Sequence, residues 1–294
     1  MNFSLETIQW LETNSAFKPF PGGINDALGS MMIHSMKQGM EAEVVKLSQS
    51  DHSYVLKIWN RHSRPDVGFQ FQLLQALTKR KLAVSVPLGW GVNSDEHHVL
   101  LTVFGGTPVS ALNAQEMRKL AQILAHINRI SQEELSELAL PQNEFISYFY
   151  PGIEEHPDLQ QTLSQLVDQA HLRQDRLIHG DYHLENILED GNTFTIIDWT
   201  NGQLGDPRYD LAWSLLLLRV FASERLATVF GNAYLKEHPM TQEELDCFEA
   251  IACIRGVLLY REGNMAIEKN VLKKLRGIIK RNPQLAGMDS LVQA

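Results

Sequence analysis

The sequence predicts an α+β fold with two lobes, an antiparallel sheet in the first and mostly helices in the second. Alternating apolar and polar residues, rich in β-branched side chains, recur through the first third of the chain, which is typical of strands. Beyond residues 105–108 (Gly-Gly-Thr-Pro) the apolar period changes from about 2 to about 3.6 residues and stays helical. We therefore expect an N-terminal lobe at 1–104 and a helical C-terminal lobe at 105–294.

The first lobe begins with a predicted helix and continues mainly as strands. We expect a helix at Phe3–Glu12 and another from Pro65 to about Lys79, where apolar residues recur at helical spacing and proline favours the first turn. Turn-forming residues at 51–53 indicate a hairpin connection between two strands. In chain order the predicted strands are Met31–Met36, Glu43–Leu47, Tyr54–Trp59, Ser85–Gly91 and His97–Phe104.

Two local signatures mark helix starts in the second lobe. Asn113 and Thr241 are each followed three residues later by glutamate, the spacing of a capping box in which side chains and backbone N–H groups bond reciprocally. Each signature predicts a helix that begins at the next residue. Within this lobe only Asn186–Leu188 and Phe194–Ile197 have the character of strands, with turn residues between them.

Composition excludes several classes of protein. The 294 residues are 44% hydrophobic and 21% charged, close to the average for globular chains, so we expect a folded protein. The net charge of −9 and the lack of a run rich in Lys and Arg argue against nucleic acid as a partner. The longest apolar run, Leu211–Leu218, is far shorter than the ~20 residues of a membrane span.

The cysteines and the N-terminus indicate a reducing compartment. Cys247 and Cys253 are six residues apart, which fits neither a metal-binding pair nor a redox motif, so we expect buried free thiols. The first ten residues lack the apolar core of a signal peptide. We therefore expect a cytoplasmic protein with no membrane partner, as a monomer or homodimer.

The stretch Leu177–Leu188 and the residues after it carry the strongest chemical signal. An apolar segment leads to Asp181, Asn186 follows five residues later, and Asp198 ends the next predicted strand. A carboxylate and an amide oxygen offered from neighbouring strand ends suit a hard cation such as Mg²⁺, which keeps part of its coordination shell for water and phosphate oxygens. We expect Asn186 and Asp198 to bind this ion, and Asp181 to meet a substrate hydroxyl group.

These residues also resemble those of a known family. The motif from His179 to Asn186, together with Asp198 between Ile and Trp, is similar to the catalytic core of the aminoglycoside phosphotransferase and choline kinase superfamily. The resemblance implies a bilobal protein-kinase-like fold and ATP-dependent phosphorylation of a hydroxyl group on a small molecule, such as an aminoglycoside, choline, homoserine or a sugar. It makes Asp181 the catalytic base, Asn186 and Asp198 the Mg²⁺ ligands, and the second lobe the site of catalysis and acceptor binding.

The resemblance assigns nucleotide-binding residues in the first lobe. Lys57, on the third predicted strand, is expected to bind the nucleotide phosphates. Gly39 lies in the loop expected to cover the nucleotide, which has a single glycine where protein kinases have three. The backbone of a hinge segment is expected to bind adenine at Leu101, Val103 and Gly105.

Gln70 occupies the position of the glutamate that normally orients this lysine in the family. A neutral amide forms no ion pair, so Lys57 is expected to be less rigidly held; alternatively Asp66, at the start of the helix, supplies the carboxylate. This substitution and the single glycine favour one alternative, a nucleotide-binding pseudokinase or regulatory module. A small atypical protein kinase is a further alternative.

Four polar residues near the motif have structural interpretations. His179 is expected to tie the loop to its surroundings, and His183 either packs or contacts substrate, with packing favoured. Asp206 and Asp210 lie at the start of an apolar helix, so we interpret them as turn and cap residues that buttress the loop.

Charged residues elsewhere are mostly expected to be solvated. Glu154, Glu155 and Asp158 form an acidic cluster that either attracts a cationic acceptor or simply faces water, with the second interpretation favoured. Lys46, on the second predicted strand, is interpreted as a solvated side chain.

Overall fold

The structure, a computed structural model, describes residues 8–17, 19–20, 22–36, 42–60, 63, 65–109, 112–263 and 269–288. The chain divides into two compact units, one formed by 1–108 with 187–200 and the other by 109–186 with 201–294. None of the described helices is both long and apolar enough to cross a membrane.

Strands dominate the first part of the chain and helices the second. In chain order, the elements up to Pro108 are β1 (Gln9–Thr13), α1 (Ile24–Leu28), β2 (Met32–Ser35), β3 (Ala42–Gln49), β4 (His52–Trp59), α2 (Val67–Lys79), β5 (Pro87–Val92), β6 (His98–Val103) and β7 (Thr107–Pro108). The later elements are α3 (Ala114–Ile127), α4 (Phe145–Phe149), α5 (Pro157–Ala170), β8 (Arg176–Ile178), β9 (Ile187–Asp190), β10 (Thr193–Ile196), β11 (Gln203–Gly205), α6 (Pro207–Leu217), α7 (Glu224–Glu237), α8 (Gln242–Arg261) and α9 (Lys269–Arg281).

The first unit contains a six-stranded antiparallel sheet in the order β1-β5-β6-β4-β3-β2. Five of its strands, β2 to β6, overlap the five strands that the sequence predicts, and α2 overlaps the predicted helix. Alternate side chains of β3, β4 and β6 are buried in one apolar cluster on one face of the sheet. The predicted combination of an antiparallel sheet with a helical second lobe is therefore confirmed.

The predicted opening helix is wrong where the structure describes it. Gln9–Thr13 forms the edge strand β1, with Trp10 opposite Gly91 and Thr13 opposite Gly89 of β5. A Cβ atom at Gly91 would collide with the backbone of Gln9, so glycine is what allows the two strands to approach. Pairing with a distant strand overrides the local helical spacing, and residues 3–7 of the prediction lie outside the described part.

The limits of the compact units differ from the predicted lobe boundary. The first unit extends to Pro108 and also takes in 187–200. The reason is backbone pairing, because β7 pairs with β9, β9 pairs with β10, and the N–H of Ile196 donates to the carbonyl of Ala83 at 2.7 Å. Gly106, at φ +116°, passes so close to the backbone of Glu189 that a side chain could not be accommodated.

The core of the second unit forms around α8. Phe248, Ile251 and Ile254 are completely buried there, and burial of each such side chain contributes about 1.5–3 kcal/mol. The Tyr150 hydroxyl donates to the Ile251 carbonyl at 2.9 Å, which satisfies a buried polar group inside this core. Both predicted capping boxes are present and begin α3 and α8, whereas the short pair β8 and β11 was not fully predicted.

Candidate functional site

The first unit brings together two of the predicted site residues, Lys57 and Asp198. Lys57 lies on β4, and its Nζ is 3.4 Å from Oδ1 of Asp198, which follows β10. The two side chains are 22% and 44% exposed, so both remain accessible to a ligand. A lysine beside an accessible carboxylate can bind phosphate oxygens and a cation side by side.

Asp198 has a strained backbone. Its φ of +63° is in the left-handed region, which is uncommon for a residue with a side chain and concentrates at functional sites. The Thr200 hydroxyl donates to the same Oδ1 atom at 2.9 Å. The carboxylate is therefore held in a defined orientation by a neighbouring hydroxyl group and by Lys57.

Gln70 does not take the place of the glutamate as a direct partner of Lys57. It is buried on α2, and its amide nitrogen lies 3.5 Å from the hydroxyl of Thr200, the group that bonds Asp198. Asp66 caps α2 by accepting the backbone N–H of Phe69 at 2.8 Å. The direct carboxylate partner of Lys57 in the structure is thus Asp198, and the alternative in which Asp66 orients the lysine is not supported.

The strand register shows how the backbone of two predicted adenine-binding residues, Leu101 and Val103, is engaged. Leu101 pairs with Leu56, and both side chains lie in the buried cluster on the face opposite Lys57, which pairs with Leu100. The N–H of Val103 donates to Val86 at 2.9 Å, while β6 lies between two paired strands. Leu101 and Val103 therefore have their N–H groups engaged within the sheet.

Gly105 has a packing reason to be glycine. A Cβ atom there would lie 2.7 Å from Cγ2 of Thr195 on β10, which is closer than any ordinary contact. Phe104, the residue before it, donates its N–H to Ser53 at 3.0 Å. Close packing against Thr195 thus accounts for the glycine, and the adenine-binding role of Gly105 stays a prediction.

Lys46 is not the solvated side chain that the sequence suggested. It pairs with Val55 on β4, two residues from Lys57, so both lysines lie on one face of the sheet. Thr102 pairs with Val55 from the other side. Lys46 is half-buried as a residue, and its Nζ lies 4.0 Å from the ring centroid of Phe104, a cation–π distance. The register thus adds a second cation to the face that carries Lys57.

The second unit contains the other two predicted catalytic residues, Asp181 and Asn186. Asp181 follows β8 in a loop, and its side chain is 29% exposed. Its Oδ1 accepts the indole N–H of Trp213 at 2.8 Å, and its Oδ2 lies 3.3 Å from Nε2 of His183. Each oxygen keeps a further lone pair for a substrate.

The surroundings of Asp181 favour its ionised form. Burial by itself raises the pKa of Asp181, but the hydrogen bond and charge of His183, the charge of Arg255 and the Trp213 hydrogen bond outweigh it. Together they hold the pKa well below the usual value of an aspartate. Asp181 is therefore ready to accept a hydrogen bond from a hydroxyl group.

Asn186 and His183 are arranged around the same loop. The amide nitrogen of Asn186 donates to the backbone carbonyl of Asp181 at 3.0 Å, which leaves the amide oxygen as a potential ligand. The ring Nδ1 of His183 accepts the N–H of Glu185 at 3.3 Å, and its Nε2 lies 3.3 Å from Oδ2 of Asp181 and 3.1 Å from the amide nitrogen of Asn186. His183 thus contacts the candidate base Asp181, whereas the sequence favoured a role in packing alone.

Asp210 and His179 hold this loop in place through hydrogen bonds to its backbone. Asp210 is completely buried, and its carboxylate accepts the backbone N–H groups of His179 and Gly180 at 2.8 Å each. His179, also buried, accepts the N–H of Asp181 at Nδ1. Asp206 caps α6 through the N–H of Arg208. The predicted buttressing role of Asp210, the predicted capping role of Asp206 and the structural role of His179 are confirmed.

The acidic cluster proposed for a cationic acceptor loses one member. Both oxygens of Asp158 bond the guanidinium of Arg261, at 2.8 and 2.6 Å. Glu154 and Glu155 remain exposed in a short helical turn. A cationic ligand would meet two carboxylates here, not three.

Each of the two residues predicted to bind Mg²⁺ has a ligand type that this ion prefers. In the first unit Asp198 supplies an accessible carboxylate beside Lys57, and in the second unit Asn186 has an amide oxygen. Within the described ranges no cluster of three or more His, Cys, Asp or Glu is arranged around a metal site. Gly39, the predicted glycine of the nucleotide-covering loop, lies outside those ranges.

Trp213 and Arg255 are site residues that the sequence did not single out. Trp213 lies three residues after Asp210 on α6, so helical spacing places both on the side facing the loop, a signal that could have been used. Arg255 reaches the loop from α8, 75 residues away from the glycine it bonds, and no local pattern points to it.

Comparison with known proteins gives a consistent family. The phosphotransferase enzyme family (APH) matches residues 33–245. No curated protein is significantly similar to the sequence. Solved structures with the same fold include the amicoumacin kinase hAmiN in complex with AMP-PNP, Ca²⁺ and Ami, with 14% identity, a TM-score of 0.64, and coverage of 89% of this chain and 92% of that chain.

Two further structures cover nearly the whole of their own chains. A thermostable mutant of the aminoglycoside phosphotransferase APH(4)-Ia, in a ternary complex with AMP-PNP and hygromycin B, has 14% identity and a TM-score of 0.63 over 89% of this chain and 97% of that chain. The choline kinase LicA from Streptococcus pneumoniae has 16% identity and a TM-score of 0.59 over 89% and 96%. At these identities the likeness shows a shared kinase-like fold.

Proposed function

Because the chain belongs to the phosphotransferase enzyme family, we propose that it transfers the γ-phosphoryl group of ATP to a hydroxyl group of a small molecule. The observation that carries this proposal is the state of Asp181. Its carboxylate is accessible, contacts Trp213 at one oxygen and His183 at the other, and has surroundings that lower its pKa and favour the ionised form. Such a group can orient an acceptor hydroxyl and take its proton.

The roles of the residues follow from phosphoryl transfer. The acceptor oxygen forms a bond to the γ-phosphorus, the bond from that phosphorus to the bridging oxygen of ADP breaks, and the hydroxyl proton passes to Asp181. Lys57 neutralises charge on the nucleotide phosphates, while Asp198 and Asn186 are the ligands we assign to the metal. Mg²⁺, when bound, offsets the negative charge of the phosphate oxygens. Lys57 and Asp198 come from the first unit, Asp181 and Asn186 from the second.

Only the chemistry of the reaction restricts which molecules can be the acceptor. It must carry a hydroxyl group that can reach Asp181, and aminoglycosides, choline, homoserine and sugars all qualify. The matched structures include an aminoglycoside phosphotransferase, an amicoumacin kinase and a choline kinase, so these acceptor classes come first in a screen. ADP release from Mg·ATP, measured with purified protein across such a library, identifies the acceptor.

Two substitutions separate catalysis from nucleotide binding. Asp181→Asn is expected to retain nucleotide affinity and to lose nearly all transfer, because an amide cannot accept the hydroxyl proton. Asp198→Ala is expected to abolish the Mg²⁺-dependent part of nucleotide affinity in calorimetry, because it removes a charged ligand. Equal turnover in Asp181→Asn and the parent protein would refute the assignment of the base.

The same experiment decides the alternative of a pseudokinase or regulatory module. That alternative rests on Gln70, which cannot form an ion pair with Lys57. A pseudokinase would bind Mg·ATP and transfer phosphate to no acceptor, neither to a small molecule nor to water nor to a protein. Turnover above the Asp181→Asn background excludes it, and phosphorylation of a protein substrate alone favours the atypical protein kinase.

A further inference from the structure

Trp213 and Arg255 form a connected group with the candidate base. The indole N–H of Trp213 donates to Oδ1 of Asp181 at 2.8 Å, and the Trp213 side chain is only 3% exposed. The guanidinium carbon of Arg255 lies 4.2 Å from the Trp213 ring centroid and 5.1 Å from that of Phe149. The arginine therefore stacks against the ring that bonds the carboxylate.

Arg255 also holds the backbone immediately before Asp181. Its Nη1 donates to the carbonyl of Gly180 at 3.1 Å and to the hydroxyl of Tyr209 at 2.9 Å. Gly180 has a φ of +76°, and its N–H is bonded by Asp210. A Cβ atom at Gly180 would lie 2.7 Å from Cβ of Asn201, so the peptide has little room to move. Both polar groups of this residue are thus fixed, the carbonyl by Arg255.

The contacts of Arg255 are unusual for a structural arginine. Among the described residues, its hydrogen bonds go to two neutral oxygens, and its planar group faces two aromatic rings. A partly buried guanidinium is costly to desolvate, and an ion pair is the common way to offset that cost. Here the cation is instead placed beside the loop and the indole that orient Asp181.

We propose that Trp213 and Arg255 act as a positioning pair for Asp181, in which the arginine holds both the Gly180 peptide and the indole ring, and the indole fixes the carboxylate plane. This inference rests on the proposed phosphotransferase function for its kinetic consequence, but not for its geometry. The acceptor hydroxyl then meets a carboxylate in one orientation, as efficient transfer requires.

The kinetic test is Trp213→Phe, which removes the N–H donor and keeps an aromatic ring against Arg255. We expect kcat to fall about 10- to 100-fold, the range for loss of a hydrogen bond to a charged group, with KM for ATP unchanged. Trp10→Phe is the matched control, because it removes an indole hydrogen bond of similar length, to Asn25 at 2.7 Å, on the first unit. Its kcat should stay within a factor of two of the parent.

Arg255→Lys provides a second variant that keeps the charge. It cannot reproduce the planar stack and the fork of hydrogen bonds, so we expect a loss of kcat between those of the parent and of Trp213→Phe. Unfolding temperatures are measured for all variants, and Arg255→Lys decides the kinetic question if Trp213→Phe proves too unstable to assay. A kcat within a factor of two of the parent in the variant that is assayed overturns the proposal.

A spectroscopic test needs neither acceptor nor nucleotide. The five tryptophans give five indole N–H signals in a ¹⁵N–¹H spectrum, and the signal lost in Trp213→Phe identifies its own residue. Asp181→Asn and Arg255→Lys should each shift this signal clearly more than that of Trp10. An unmoved Trp213 signal in both variants overturns the pair, whereas a shifted signal in a protein that phosphorylates no acceptor leaves the pair intact and refutes the proposed function instead.

Discussion

The buried carboxylate of Asp210 offers the sharpest test of how the catalytic loop is stabilised. It accepts the N–H groups of His179 and Gly180 at 2.8 Å and the amide of Asn128 at 3.0 Å. Asp210→Ala leaves these three donors without their acceptor inside the protein. A buried donor without a partner costs about 1–3 kcal/mol, which sums to about 3–9 kcal/mol.

We expect the destabilisation by Asp210→Ala to lie in the lower part of that range. Burial raises the pKa of Asp210, against the lowering effects of the His179 charge and of the hydrogen bonds, so removing the carboxylate also removes a desolvation cost. We therefore expect Asp210→Ala to lower the free energy of unfolding by about 3–5 kcal/mol. Because the hydrogen bonds from His179 and Gly180 to Asp210 fix the loop that carries Asp181, kcat should fall as well.

Asp210→Asn should be milder for a geometric reason. His179 and Asn128 both bond Oδ2, while Gly180 bonds Oδ1. An asparagine whose oxygen takes the Oδ2 place keeps two of the three bonds, so its cost should be about 1–3 kcal/mol.

Urea denaturation of the full chain, followed by circular dichroism, measures both losses. Asp168→Ala, at an exposed position on α5, is the control and should change stability by less than about 0.5 kcal/mol. The reasoning is refuted if Asp210→Ala costs less than about 1 kcal/mol, or if the asparagine variant is the less stable of the two.

Two other residues give independent predictions. Lys46→Ala should weaken binding of Mg·ATP in calorimetry without changing the unfolding temperature by more than a few degrees, because it removes a cation from the sheet face that carries Lys57; unchanged affinity would place Lys46 outside the nucleotide site. The pKa of Glu244 is lowered by its hydrogen bonds to Thr241 and by Arg208, so its stabilising effect is present above its ordinary pKa of 4.5 and is lost as the pH falls through the lower folded value. Between pH 6 and about 3, Glu244→Gln should therefore lose less stability than the parent in parallel denaturation curves, and identical slopes would contradict this linkage.

Local signals account for the parts of the fold that could be predicted. The capping boxes at Asn113 and Thr241 are complete within four residues, and both begin helices in the structure. β1 shows the limit, because its strand conformation depends on pairing with β5, about eighty residues later in the chain. No pattern inside Gln9–Thr13 contains that partner.

In the candidate site, too, residues close together in sequence were predicted, and contacts between distant residues were not. Asp181, Asn186 and Asp198 lie close together in sequence, so their spacing alone indicated their chemistry. Lys46 was misjudged because its exposure depends on which face of the sheet its register selects and on the position of Phe104. Arg255 could not be foreseen, because its bond to Gly180 joins residues 75 positions apart.

The pairing of β7 with β9 has a consequence for gene design. Neither compact unit is one uninterrupted stretch of the gene, so a fragment that stops at Pro108 omits the β9–β10 hairpin and with it Asp198. Pro108 lies opposite Leu188 in antiparallel register, so a short inserted turn of about two to five residues can join 108 to 187. A gene spliced in this way would encode the first unit as one chain that retains Lys57 and Asp198 and lacks Asp181. Nucleotide binding by this chain would show that nucleotide recognition does not require the unit that carries the candidate base.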